Sequence, residues 1–316
     1  MTTYALDDYC RACAPPLFKK QMAAAAAATK GDAFKAEGDA ALKRSTIFGF
    51  GKSQKYEDAA DAYTKAGNQY KLGNRWQSAG ECFMKAGECH KTLGSETDAV
   101  GSIAEAGNCY KKLNPVEAIV AFQAAIDIYN AGGRFGRSAA LMKEIAEIYE
   151  ADGNVAGAIE SFENAATLFA NDNKKSVAQQ CHLKIAALAS GKDDFIKAAE
   201  IFEQVGRESM ESNLSKYSAK NYLFQALLCF LAAQDTVTAK NKKEDYKNID
   251  YTFAGQRECT FIEKLLGVIE ANDAEGFAQA CADFDRITPL DPWKTSMLLK
   301  AKKNIAGGGN EESDLC

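Results

Sequence analysis

The sequence predicts an all-α fold built from antiparallel helical hairpins, and three observations carry this prediction. Alanines recur about twenty residues apart along the middle of the chain, six of them followed four positions later by Tyr, Phe or Ile. Positions i and i+4 share one face of a helix. Turn-forming residues separate the units, and strand-like alternation is absent. The alanines are Ala59, Ala79, Ala99, Ala118, Ala139, Ala158, Ala178 and Ala198.

Each twenty-residue unit is interpreted as one helix followed by a tight turn. A small residue allows the next helix to approach closely, and the large residue fills the space beside it. Two units make a hairpin of about forty residues, in the range of tetratricopeptide and related α-solenoids. The repeats therefore predict a tetratricopeptide-like α-solenoid.

The remaining elements are predicted in chain order around these repeats. We expect an N-terminal extension and first helix at 1–44, an apolar loop at 45–55, the helical repeats at 56–240, further helices at 241–306, and a flexible acidic tail at 307–316. Three successive glycines at 307–309 precede the acidic residues of the tail, which is why we expect it to be flexible.

Composition restricts the function classes. The chain of 316 residues has a net charge of -5 and 47% hydrophobic residues, so no general attraction to nucleic acid is expected. No apolar run reaches the length of a membrane span. The ten cysteines fall mostly among apolar helix positions, which is typical of a reduced, cytoplasmic protein.

Signs of catalytic or metal chemistry are weak. His90 and His182 occupy repeat positions that favour structural roles, and the Cys10–Cys13 pair lacks the second pair of a zinc site. The sequence from Gly51 resembles the end of a phosphate-binding loop, but Thr46 stands at its required first glycine. We therefore expect no metal, no cofactor and no enzyme.

Two surfaces have a pattern that suggests binding. In the 45–55 loop, Ile47, Phe48 and Phe50 stand between cations, which suits shallow insertion into an anionic membrane, although packing against the first repeat is the alternative. Basic residues along the repeats would form rows on stacked hairpins and suit an elongated acidic partner. Acidic residues gather nearer the carboxyl end, which suggests a second partner.

Several short stretches in this order closely resemble the soluble NSF attachment proteins of alpha/beta type, from about residue 35 onward. They are GGRF at 132–135, IAEIYE at 145–150, IFEQVG at 201–206, KYSAK at 216–220, REC at 257–259, KLL at 264–266, LDPW at 290–293 and MLL at 297–299. The resemblance implies helical hairpins followed by a C-terminal helical bundle at 241–306. It also implies an adaptor, not an enzyme.

The partners implied by this resemblance are the SNARE four-helix bundle, of syntaxin-type and related SNAREs, and the hexameric AAA ATPase NSF. Several copies of the adaptor would wrap one SNARE complex in vesicle-mediated protein transport, at a membrane surface to which the cytoplasmic protein attaches peripherally. A general tetratricopeptide scaffold that captures short peptides is the alternative.

The resemblance also assigns roles to residues. Matching SNARE-binding positions are basic at Lys71, Arg134, Lys184, Lys216 and Lys220. Two further positions that are usually basic carry Ala140 and Gln180 here, with Arg137 and Lys143 near enough to compensate. The membrane loop matches Ile47, Phe48 and Phe50, while Glu270 and Leu315 match positions that bind and stimulate NSF.

Overall fold

The computed structural model describes residues 16–45, 51–211, 215–250, 253–303 and 305. Within these residues all regular structure is helical, which confirms the all-α prediction. The helices are α1 (Pro16–Lys43), α2 (Lys52–Leu72), α3 (Trp76–Thr92), α4 (Glu96–Tyr110), α5 (Pro115–Ala131), α6 (Phe135–Ala151), α7 (Val155–Asn171), α8 (Lys175–Gly191), α9 (Phe195–Met210), α10 (Lys216–Ala232), α11 (Thr236–Ile249), a 3-10 turn (Phe253–Gly255), α12 (Arg257–Glu270), α13 (Ala274–Asp285) and α14 (Pro292–Lys302).

The chain forms two compact units, described separately here. Unit 1 is Met1–Lys174 and contains α1 to α7, while unit 2 is Lys175–Cys316 and contains α8 to α14. The expected change from repeats to bundle at 240/241 falls inside α11, which continues from Thr236 to Ile249. The charged stretch after Lys240 is therefore helical.

Unit 1 consists of hairpins in two layers. Neighbouring helices pack side by side, and polar side chains then join every second helix. In one layer Lys85 on α3 lies 2.9 Å from Asp39 on α1. In the other layer Lys71 on α2 lies 2.6 Å from Glu105 on α4. Further hydrogen bonds extend each layer, from Gln77 on α3 to Glu117 on α5 and from Lys111 at the end of α4 to Glu144 on α6. One layer thus contains α1, α3 and α5, and the other contains α2, α4 and α6.

The alanine repeat is the packing signal that the sequence suggested. All eight repeat alanines are buried, with at most 5% of their surface exposed. Glycines supplement them where two helices come closest. A Cβ added to Gly80 would lie 2.4 Å from the Tyr110 ring, and one at Gly107 would lie 2.5 Å from the Phe122 ring. Small residues thus make room for the aromatic side chains of the following helix.

The turns between helices use left-handed backbone at a repeated position. Asn74, Asn173, Asp193 and Asn272 adopt positive φ without being glycine, as does Gln234. Short polar side chains tolerate this conformation better than most. After Asn74, the Arg75 amide donates a 2.9 Å hydrogen bond to the Tyr70 carbonyl, which closes the helix end.

Unit 2 packs around α10. Its residues from Ala226 to Ala232 are all buried, so this helix is apolar on every side, as expected for a central helix. Side chains of α12, α13 and α14 complete the same core, including Phe261, Phe284 and Met297. By contrast α11 buries only Ala239, Lys243 and Tyr246.

Candidate binding surfaces

Lys71, the first of the predicted SNARE-binding residues, is already partnered. Its Nζ lies 2.6 Å from Glu105 Oε2 and 5.6 Å from the centre of the Phe83 ring. Its side chain is 36% exposed, so it reaches the surface with part of its charge neutralised. A partner carboxylate would have to compete with Glu105.

Arg134 and Arg137 lie at the start of α6, and both are exposed. Arg134 stands at the position before the first helical residue without a side-chain capping hydrogen bond, and its Nη2 donates a 3.0 Å hydrogen bond to the Thr97 hydroxyl. The Arg137 amide donates a 3.0 Å hydrogen bond to the Arg134 carbonyl, while its guanidinium has no ion pair among the described residues. Arg137 also stands three residues before Ala140, on the same face of the helix. Its charge can therefore serve the position where the sequence lacks a basic residue.

The structure does not bring Lys71 and Arg134 together. Lys71 is near the carboxyl end of α2 and contacts Glu105 in the second half of α4. Arg134 directly precedes α6 and contacts Thr97 in the first turn of α4. Within this layer of unit 1, Lys71 therefore lies beside the carboxyl-terminal half of α4 and Arg134 lies beside its amino-terminal end.

In unit 2, Lys216 and Lys220 are brought together on the first turns of α10. They are four residues apart and share a helix face. Lys216 is exposed, with its Nζ 5.5 Å from the Tyr217 ring centre. Lys220 is half-buried, 3.2 Å from Gln256 Oε1 and 3.8 Å from Glu258. Lys184 is exposed on α8, and Gln180 lies one turn before it.

The sequence analysis did not predict that acidic side chains on neighbouring helices pair with some of the basic residues along the repeats. These ion pairs reduce the net positive charge of that surface. Lys111 lies between Glu144 and Glu147 of α6, with Nζ 3.5 Å from Glu147. Burial alone would lower the pKa of Lys111, but the two carboxylates outweigh it and raise that pKa. Lys111 and Glu144 are 33 residues apart in the sequence, and Lys85 and Asp39 are 46 apart, which is about two repeats in each case. A search for opposite charges at that spacing would have found them.

The predicted ATPase-facing residues lie in or beyond the last helices. Glu270 is the exposed last residue of α12, and Lys240 Nζ lies 3.2 Å from its carboxylate. Leu315 lies outside the described residues, as do Ile47, Phe48 and Phe50 of the apolar loop. The cations flanking that loop are described: Lys43 and Lys52 are exposed, and Arg44 lies 2.6 Å from Asp58.

The last glycine of the phosphate-loop-like segment and seven of the cysteines lie among the described residues. Gly51, with φ 82°, directly precedes α2, and the element before it is helix α1. All the described cysteines are buried, and burial raises the pKa of Cys82 to about 11 and that of Cys229 to about 12. No cluster of metal-ligating side chains occurs among the described residues. Cys10 and Cys13 lie outside them.

None of the described helices combines the length and apolar character needed to cross a bilayer.

Comparison with known proteins identifies the family. The family model for soluble NSF attachment protein, SNAP, matches residues 29–306. The beta-soluble NSF attachment protein of Bos taurus is 40% identical over 84% of this chain and 89% of its own length. The alpha-soluble NSF attachment protein of Vitis vinifera is 36% identical over 90% of this chain and 98% of its own.

A third relative is named for vesicular fusion. The vesicular-fusion protein SEC17 of Coprinopsis cinerea is 42% identical over 80% of this chain and 88% of its own length. These names describe attachment and fusion, not a catalysed reaction. The match begins within α1 and covers the other helices of unit 1 and the described helices of unit 2. The resemblance in the sequence is therefore confirmed, and this chain belongs to the soluble NSF attachment protein family.

Proposed function

We propose that this chain is an adaptor that binds assembled SNARE complexes and recruits and stimulates the ATPase NSF, so that the SNAREs are disassembled in vesicle-mediated transport. The observation that carries the proposal is the family match across 29–306, which runs from within α1 to the end of α14. Exposed cations on that body supply chemistry suited to an acidic four-helix bundle.

The SNARE contact would rest on many weak ion pairs. Arg134, Arg137, Lys184 and Lys216 are exposed, and Lys71 and Lys220 each lie within 4 Å of an acidic side chain. One exposed pair contributes about 0–1 kcal/mol. Several contacts per copy and several copies per SNARE complex would therefore be needed for stable binding. Such binding weakens as salt rises.

A paired charge reversal tests this contact. Arg134→Glu combined with Lys184→Glu changes one exposed cation in each unit, and we expect at least a ten-fold loss of affinity for the assembled bundle. Lys112→Glu combined with Lys192→Glu is the matched control, because both lysines are exposed in the same two units. Equal weakening by both pairs would show a general charge effect, and unchanged binding by the first would refute the assigned positions. Binding of short peptides alone would favour a general peptide scaffold.

Membrane attachment is assigned to Ile47, Phe48 and Phe50, with Lys43 and Lys52 beside anionic head groups. Flotation with vesicles containing phosphatidylserine measures this directly. We expect Phe48→Ser with Phe50→Ser to lose most of the bound fraction. Leu113→Ser with Val116→Ser is the control, since these side chains are 61% and 70% exposed elsewhere. Equal flotation of all variants would remove the loop from the mechanism.

Stimulation of NSF is assigned to Leu315, with Glu270 on the ATPase-facing surface. Leu315→Ala should abolish most of the stimulated ATPase rate while leaving SNARE binding unchanged. Glu270→Gln should lower NSF recruitment only modestly. Glu270 is exposed, and its ion pair with Lys240 already neutralises part of its charge. Full stimulation by Leu315→Ala would contradict the role of the tail.

A further inference from the structure

A shallow apolar groove lies between α12 and α13 in unit 2. Its volume is about 270 Å³, and its lining includes Arg257, Phe261, Lys264, Asp283, Phe284 and Ile287. The rings of Phe261 and Phe284 are stacked with centroids 4.2 Å apart and planes 16° from parallel. Ile287 is 60% exposed at the rim. The groove thus offers a flat aromatic floor and an uncovered aliphatic edge.

The rim of this groove is positively charged. Lys264 Nζ lies 3.1 Å from Asp283, and Arg286 lies 3.7 Å from the same carboxylate. Arg257 is exposed and has no ion pair among the described residues. Lys264 and Arg286 therefore face one carboxylate, and Arg257 adds a third positive charge on the groove lining. The charge favours an occupant that carries both an apolar side chain and several acids.

One segment of this chain has that chemistry. Residues 310–316 read Asn-Glu-Glu-Ser-Asp-Leu-Cys, with Leu315 following three acids. The last described residue, Ile305, is buried in the same core as Phe261 and Phe284. The ten residues from 306 to 315 span up to about 33–36 Å when extended. That reach exceeds the length of α12, which has 14 residues and is about 21 Å long.

We propose that residues 310–316 bind this groove, with Leu315 against Phe261 and Phe284 and the acids beside Arg257 and Lys264. In this position Leu315 is covered by its own chain. If Leu315 engages NSF, as the proposed function holds, the ATPase must displace it from the groove. The docking itself does not depend on NSF, so it can fail or succeed independently of that function.

Fluorescence anisotropy of a labelled peptide with the sequence of residues 310–316 tests the proposal. The acceptor is the full chain carrying Leu315→Asp, whose own tail cannot fill the groove. We expect saturable binding with a dissociation constant near 100 µM or below. A tethered segment has an effective concentration of about 1 mM. The unchanged chain should therefore bind the same peptide about ten-fold more weakly, because its own tail competes.

Variants locate the binding. In the Leu315→Asp chain, Ile287→Asp should weaken the peptide at least ten-fold and Arg257→Glu at least three-fold. Val237→Asp is the matched control, since Val237 is 70% exposed on α11, and it should change nothing. Circular dichroism checks that each variant is folded. Absence of peptide binding at 1 mM, or equal binding to Ile287→Asp, would overturn the proposal.

Hydrogen exchange of the intact chain provides a second readout. Amides of α12 and α13 beside the groove should exchange faster in Leu315→Asp than in the unchanged chain. Identical exchange in both would overturn the docking. Loss of NSF stimulation in Leu315→Asp, measured separately, concerns only the proposed function.

Discussion

The indole Nε1 of Trp293 donates a 2.9 Å hydrogen bond to the hydroxyl of Ser190, which is fully buried at the end of α8. The Trp293 ring also meets Phe202 edge-on, with centroids 5.2 Å apart. Further along α14, Lys300 forms an ion pair with Asp193. The last described helix is thereby fixed to the turn between α8 and α9, so unit 2 is complete only when α14 is in place.

Replacing Trp293 by Phe should lower the free energy of unfolding of unit 2. A smaller aromatic ring remains but the hydrogen bond is lost, leaving the Ser190 oxygen without this donor, at a cost of about 1–3 kcal/mol. Ser190→Ala should cost a similar amount. Urea unfolding of both single variants and the double variant measures the coupling. Strictly additive effects would mean that the hydrogen bond contributes nothing.

Gly107→Ala should destabilise the chain by about 1–3 kcal/mol, because the new methyl group would overlap the buried Phe122 ring. Gly101 is the control in the same helix. It has open space around its Cα, so Gly101→Ala should stabilise the chain by about 0.5–1 kcal/mol. Urea midpoints with opposite signs of change are expected, and equal changes would contradict the close approach of α4 and α5.

Glu203 should make stability depend on acid pH. Burial alone would raise the pKa of Glu203, but hydrogen bonds from Lys242 and Arg207 outweigh it and hold that pKa below its ordinary value of 4.5. A lowered pKa in the folded state contributes stability that is complete above about pH 4.5 and is lost as pH falls through the lowered value. Urea unfolding between about pH 6 and pH 3 should show this loss.

Glu203→Gln removes that titration. The variant should be less stable by about 1–3 kcal/mol at neutral pH, since the two cations lose a carboxylate whose side chain is only 11% exposed. Its stability should also fall less steeply below pH 4.5. Glu200→Gln, an exposed acid on the same helix, is the control. Parallel pH profiles for the parent and Glu203→Gln would contradict the prediction.

The thiols should divide into two kinetic classes. Seven described cysteines are buried, and burial raises the pKa of Cys281, for example, to about 12. A thiolate is the reactive form. Of the ten cysteines in the sequence, no more than three should react rapidly with a disulfide reagent at pH 8. The others should react only as the chain unfolds, and fast labelling of Cys281 would be inconsistent with this packing.

Much of the fold could be predicted because helix packing requires small residues at regular intervals in the sequence. The alanine at each repeat, such as Ala59 or Ala158, has no exposed surface because a neighbouring helix lies against it. The pattern of α11 is harder to recognise, since one of its three buried residues is Lys243. Only 8% of that residue is exposed, with its charge held by Glu263. The aliphatic part of a lysine side chain packs well in a core, but from sequence alone a lysine is predicted to lie on the surface.

The electrostatics of the candidate surface could not be predicted in the same way. Whether Lys71 is an available cation depends on Glu105, which is 34 residues away in sequence. Arg137 and Lys71 look equivalent in sequence, yet Arg137 is exposed at a helix start and Lys71 is paired. Only the stacking of hairpins decides which charges meet. The SNARE-binding assignments therefore stay predictions for the charge-reversal experiment.

The bridges between alternate helices also bear on how the chain folds during synthesis. Among the described residues of unit 1, side-chain hydrogen bonds connect residues no more than 46 positions apart. In unit 2 the Trp293–Ser190 contact spans 103 positions and the Lys300–Asp193 contact 107. Contacts close in sequence form quickly. Unit 1 can therefore fold hairpin by hairpin as it leaves the ribosome, whereas unit 2 must wait for α14.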